Sequence, residues 1–93
     1  MRMIRSERIF RFSASAFADD VLRHGVTWWN YVGQPVHYIL AALERKHGSA
    51  EAIRASVRDD PRNRFRVAIG NGASAADIEK FMDWFGLEDM HEL

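Results

Sequence analysis

Apolar positions along the chain switch between a period of two and a period near 3.6, and the switches lay out the elements. Residues 7–12 alternate, with Arg8, Phe10 and Phe12 on one side and Glu7, Ile9 and Arg11 on the other, which predicts a half-buried strand. Ser13 or Ser15 then caps a helix with Phe17, Ala18, Val21 and Leu22 on one face, Asp19 and Asp20 in its early turns and Gly25 at its end. Residues 27–32 are β-branched and aromatic and predict a short strand or an extended loop. Pro35 suits a first helical position, and Val36, Ile39, Leu40 and Leu43 follow at i, i+3, i+4, i+7 until His47 and Gly48.

Ser49 caps a shorter helix carrying Ile53 and Val57, stopped by Asp59-Asp60-Pro61. Residues 64–69 form the cleanest alternation, with Phe65, Val67 and Ile69 against Arg64, Arg66 and Ala68, and Gly70-Asn71-Gly72 breaks it. Ser74 and Asp77 open a last helix carrying Ile78, Phe81, Met82 and Phe85, which Gly86 ends. The pattern predicts a single α+β domain over residues 1–93, with a small two- to three-stranded antiparallel sheet and about four helices. A winged-helix-like arrangement is the alternative. Residues 1–5 and 88–93 are expected to be disordered ends. The expected core holds Phe10, Phe12, Phe17, Val21, Leu22, Ile39, Leu40, Leu43, Ile53, Val57, Phe65, Val67, Ile69, Ile78, Phe81, Met82 and Phe85.

An apolar share of 47% over 93 residues is enough for a real core. The chain has no cysteine, hence no disulfide framework and no thiolate ligand or nucleophile. No apolar run approaches the ~20 residues of a membrane span and no signal-peptide core follows the basic N-terminus, so a cytoplasmic protein without a membrane partner is expected. The formal net charge of zero hides a segregation. Residues 1–70 carry twelve Arg and Lys against seven Asp and Glu, whereas residues 71–93 carry one Lys against six. Such a chain steers a charged partner or neutralises itself.

That charge pattern singles out Arg11, Arg62, Arg64 and Arg66. Side by side on two strands they would form a basic ribbon for phosphates; pointing outward singly, they keep strand edges soluble. Trp28, Trp29 and Tyr31 form a second group, because adjacent residues of an extended segment face opposite ways and one Trp is left to anchor a partner. Trp84 falls about 110° from the centre of the last apolar stripe at 100° per residue, beside Asp77 and Lys80. It is either a hot spot on an acidic helix or covered by the loop around Trp28. His24, His37, His47 and His91 show no i, i+3 or i, i+4 metal spacing, and Asp19-Asp20 and Asp59-Asp60 read as helix-end residues. Neither a metal nor another cofactor is expected, and no G-x-S-x-G or phosphate-loop motif is present.

Two stretches, Leu22-Arg23-His24 and the run from Leu40-Ala41-Ala42-Leu43 through Lys46-His47-Gly48 to Asp60-Pro61-Arg62-Asn63-Arg64-Phe65, resemble the N-terminal winged-helix lobe of RNA 2′-phosphotransferases. That family's glutamine-glycine-histidine-serine motif and catalytic lobe have no counterpart here. The resemblance implies a winged-helix-like arrangement and a nucleic-acid surface, and it places the family's site arginine at Arg23 without a role.

Together these features predict a non-enzymatic protein-binding module that occupies a partner's surface, in the manner of small phage-encoded or anti-CRISPR inhibitors. Its anchors would be Trp28, Trp29, Tyr31, Trp84, Asp77 and Lys80, and the partner another protein or a second copy. The alternative is a nucleic-acid binder using Arg11, Arg62, Arg64 and Arg66.

Overall fold

The computed structural model describes residues 13–32 and 34–93. A 3-10 turn at Ala14–Ala16 leads into α1 (Phe17–His24), whose Asp19 and Asp20 at the start and Arg23 and His24 at the end match the helix dipole. Gly25 ends it in the left-handed region at φ 62°, where its amide bonds back to the Val21 carbonyl. Then follow β1 (Trp28–Val32), α2 (Pro35–His47), α3 (Ala50–Ile53) and a π-helical turn over Arg54–Arg58. The chain closes with β2 (Val67–Asn71), α4 (Ala75–Phe85) and β3 (Asp89–Glu92). The caps expected at Ser49 and Ser74 form, accepting from the amides of Ala52 and Asp77 at 3.1 Å. Ser13 and Ser15 instead bond to each other at 3.1 Å and cap nothing with their side chains.

The three strands lie in the order β1-β2-β3 and both pairs are parallel. The expected antiparallel sheet, and the winged helix that needs one, are thereby overturned. Parallel neighbours need a crossover, and α2 with α3 supplies the first while α4 supplies the second. The alternating strand expected at residues 7–12, with Phe10 and Phe12, lies outside the described residues. The third strand among the described residues is β3, which the apolar pattern does not announce, since Met90 is its one buried side chain.

Both crossovers step the same way across the sheet. Right-handed connections then put both sets of helices on one face. The core agrees: Trp29, Tyr31, Ala68 and Met90 from the strands share one cluster with Phe17 and Val21 of α1, Ile39 and Leu43 of α2, and Phe81 and Phe85 of α4. Its centre is aromatic. Phe17 lies 4.5 Å from Trp29 and 5.6 Å from Phe85, and Trp29 stacks on Phe81 at 5.8 Å. Gly70 is required here. A Cβ on it would run into the Tyr31 carbonyl and lie within 2.6 Å of the Tyr31 ring, which crosses β2 at that point.

Val67 and Ile69, expected in this core, face the other way and stay half-buried; Ala68 and Gly70 face inward instead. The phase changes before the strand begins. The Thr27 carbonyl accepts from both the Arg66 and Val67 amides, so two residues oppose one, as in a β-bulge, and Phe65 is buried out of step with the strand. Trp84, expected at the surface or under the Trp28 loop, is 5% exposed and part of the core. α4 packs against both α2 and the Arg54–Arg58 turn, so its buried face is wider than one stripe. Among the described residues no helix is long and apolar enough to cross a membrane.

Two polar junctions tie α4 to the segment between α3 and β2. The buried Asn63 amide donates to the carbonyls of Phe85 and Arg58 at 2.9 and 3.3 Å and accepts from the Phe65 amide at 2.9 Å. Arg54 clamps Asp83 through Nε at 2.9 Å and Nη2 at 2.6 Å. Asn63→Ala leaves buried backbone groups unpaired and is expected to cost about 1–3 kcal/mol, read as a lower urea midpoint at unchanged slope. The Arg54 hydrogen bond holds the Asp83 carboxyl below its usual 3.8. A carboxyl with a depressed folded pKa stabilises the fold above its unfolded value, and this support is lost as pH falls towards the folded value. Asp83→Asn should therefore flatten the loss of stability between about pH 5 and pH 3, measured by denaturant unfolding at each pH.

Candidate functional site

In open α/β sheets ligands bind beyond the carboxyl ends of the strands where the strand order reverses. The order β1-β2-β3 has no reversal among the described strands, and the carboxyl edge is a candidate by its end of the sheet alone. Here that edge consists of the ends of β1 at Val32, β2 at Asn71 and β3 at Glu92, with the first turns of α2 and α4 beside them. One carboxylate organises it. Glu92 Oε2 accepts from the Tyr31 hydroxyl at 2.5 Å, while Oε1 accepts from the amides of Gly72 and Ala73 at 3.1 and 3.3 Å. A single side chain on β3 thus ties β1 to the turn that leaves β2. Gly72 takes φ 96°, a conformation that glycine adopts without strain, and this aims both amides at one oxygen. The Leu93 amide adds a bond to the Gly70 carbonyl at 2.7 Å. Across the helix starts, His37 Nδ1 on α2 meets Asp77 Oδ2 on α4 at 3.1 Å.

Three exposed apolar side chains sit on segments that end or begin at this edge. Among the described residues the exposed large hydrophobic side chains are Val32 at 74%, Tyr38 at 56% and Leu93 at 85%. Val32 ends β1, Leu93 follows β3, and Tyr38 stands in the first turn of α2. Burial first, and then the hydrogen bond and charge of Glu92, push the Tyr31 phenol well above its usual value. It stays protonated at neutral pH and its proton is committed to Glu92. With both oxygens of Glu92 also committed, neither the phenol nor the carboxylate is free to transfer a proton. Among the described residues no three His, Asp or Glu side chains gather into a metal-binding group.

The expected anchors do not form one surface. Trp29 and Tyr31 are in the core with Trp84, Trp28 is half-buried on the opposite face of the sheet, and Lys80 sits 6.0 Å over the Trp84 ring. Asp77 alone reaches the edge, through His37. The described arginines of the expected ribbon are each engaged locally. Arg62 pairs with Asp60 at 3.0 Å, Arg64 donates to the Pro61 carbonyl at 2.8 Å, and Arg66 donates to the Phe65 carbonyl at 3.0 Å and approaches Glu88 at 3.6 Å. Arg11 lies outside the described residues. Arg23 is exposed on α1. Glu92, Gly72 and His37 were missed from sequence. The signal for the glycine turn was Gly70-Asn71-Gly72 between a strand and the Ser74-capped helix, a strand–turn–helix passage whose polar groups are backbone amides.

The fold is an open parallel α/β sheet, and its carboxyl edge is the candidate site. No family model and no solved structure matches the chain. Among curated proteins it is 41% identical over 76 residues to a medium/long-chain-fatty-acid–CoA ligase of Mycobacterium marinum, a match covering 82% of this chain and 13% of the ligase. It is 35% identical over 83 residues to long-chain fatty acid transport protein 1 of Rattus norvegicus, covering 88% of this chain and 11% of that protein. With isopenicillin N epimerase component 1 of Hapsidospora chrysogena it shares 37% over 82 residues, 88% of this chain and 12% of that one. The chain thus spans about an eighth of the length of these relatives.

These relatives overturn the resemblance to RNA 2′-phosphotransferases. With it go the readings as a non-enzymatic, phage-type or anti-CRISPR inhibitor and as a winged-helix nucleic-acid binder, because the matched proteins are named as fatty-acid–CoA ligases and fatty acid transport proteins. Glu92→Gln keeps the shape and removes the charge. It should lower the Tyr31 phenol pKa while burial keeps it raised, read by ultraviolet titration of the phenolate. Glu92→Ala leaves the Tyr31 hydroxyl and two turn amides without their acceptor and should destabilise the chain by about 1–3 kcal/mol in urea unfolding.

Proposed function

We propose that this chain supplies part of the binding edge of a catalytic domain of the fatty-acid–CoA ligase type. The observation that carries this reading is the coincidence of a parallel-sheet carboxyl edge, a Glu92-fixed glycine turn and the exposed apolar Val32, Tyr38 and Leu93 with 41% identity to such a ligase. A fatty acid presents a long apolar tail and one carboxylate. An edge that pairs apolar side chains with fixed backbone turns and two helix starts suits both ends of that molecule. Joining the carboxylate to a thiol also needs groups that activate it. The chain's own contribution is to orient.

Grafting tests this reading. The 76-residue segment of the Mycobacterium marinum ligase is replaced by the matching segment of this chain, and acyl-CoA formation from a long-chain fatty acid is measured. The graft should retain activity within about tenfold of the parent, a loss of roughly 1.4 kcal/mol in transition-state stabilisation. Glu92→Ala in the graft should reduce it further through the misplaced turn. A graft that folds with the parent's melting temperature but makes no acyl-CoA contradicts the reading.

A further inference from the structure

The sheet has a second face. Trp28, Asn30 and Val32 of β1, Val67, Ile69 and Asn71 of β2, and Asp89 and His91 of β3 alternate with the core-facing residues and point to it. Trp28 stands beside Val67, Asn30 beside Ile69 and Val32 beside Asn71. An apolar strip therefore runs over β1 and β2. It is bordered on β3 by Asp89 and His91, which pair with each other at 2.9 Å. None of Trp28, Val32, Val67 and Ile69 belongs to the core cluster or to the hydrophobic residues packed against it. Every α-helix among the described residues contributes to the core on the other side. Val67 and Ile69 are thus half-exposed on the central strand of a parallel sheet, an element type that is covered by helices on both faces.

We infer that this face is the docking surface for the remainder of a ligase-type catalytic domain, which closes the sheet with a helical layer presenting an apolar stripe. The inference rests on the ligase reading above. The relatives identify the occupant: the match fills 82–88% of this chain but only 11–13% of theirs, so each carries a large body of chain beside the matched segment. A second copy is disfavoured, since parallel sheets take helices rather than another sheet on an open side. The Asp89–His91 pair marks where the apolar contact stops, because burying it unmatched would cost more than the contact returns.

The test uses Val67→Glu/Ile69→Glu in two settings. In the isolated full chain, the wild type should sediment as a monomer and enhance anilinonaphthalene sulfonate fluorescence severalfold. The double variant should lose that enhancement while keeping its circular dichroism, because neither side chain is in the core. Self-association of the wild type that the variant abolishes would assign the face to a second copy and overturn the inference. So would absent dye binding that appears on removing residues 1–12, which would assign the face to the chain's own N-terminus. In the ligase graft, the double variant should cut soluble, cooperatively melting protein at least tenfold. A double-variant graft that folds as well as the unsubstituted one overturns docking, whatever its activity. A graft that folds but is inactive, and that still loses its fold on the double substitution, contradicts the ligase chemistry and supports the docking.

Discussion

Parallel pairing of the three strands is the constraint from which the rest of the structure follows. Two strands running the same way cannot be joined by a tight turn, so each must be followed by a helix that carries the chain back along the sheet. With the order β1-β2-β3 and right-handed connections, both returns fall on one face. That single requirement builds the aromatic core between sheet and helices and leaves the opposite face uncovered by them. It also brings all three carboxyl ends to one edge. Core, open face and binding edge are consequences of strand direction rather than separate designs.

At the edge, Glu92 converts this arrangement into a fixed site. Three strand ends meeting in solvent would fray, since backbone amides in the turn after β2 have no partner in the ladder. The carboxylate accepts two of them and holds the Tyr31 hydroxyl with its other oxygen. Tyr31 is itself anchored in the core against Trp29 at 5.6 Å. Rigidity therefore passes from the aromatic cluster through one hydroxyl and one carboxylate to the glycine turn. The His37–Asp77 contact does the same for the two helix starts. Under the proposed function, positioning needs this stiffness more than it needs an ionisable group of its own.

Much of the local structure was legible in the chain. α2 and α4 follow from apolar residues at i, i+3, i+4, i+7, from Pro35 at the start of one and Ser74 at the start of the other, and from left-handed glycines at their ends. Strand direction was not legible, because alternation at residues 64–69 says that a strand is present and nothing about its neighbour. The phase of β2 was lost at the double contact on the Thr27 carbonyl, which turned Val67 and Ile69 outward although Phe65 is buried. β3 has a single buried side chain, Met90, too little for any period to register. The site escaped for the same reason: its organising residue, Glu92, lies on that strand. The aromatic residues were singled out as partner anchors, whereas Trp29, Tyr31 and Trp84 serve the core, because a small sheet with helices on one face needs large side chains to fill it.

Photoaffinity labelling addresses the central claim most directly, that the carboxyl edge of this parallel sheet lines a fatty-acyl site. A long-chain fatty acid carrying a diazirine would be bound to the Mycobacterium marinum ligase graft, irradiated and mapped by peptide mass spectrometry. Labelling of Val32, Gln34, Tyr38 or residues 71–74, competed by unmodified fatty acid, is the result expected. Competed labelling confined to the outer surfaces of α1 and α3, or to parts of the ligase outside the grafted segment, would contradict it.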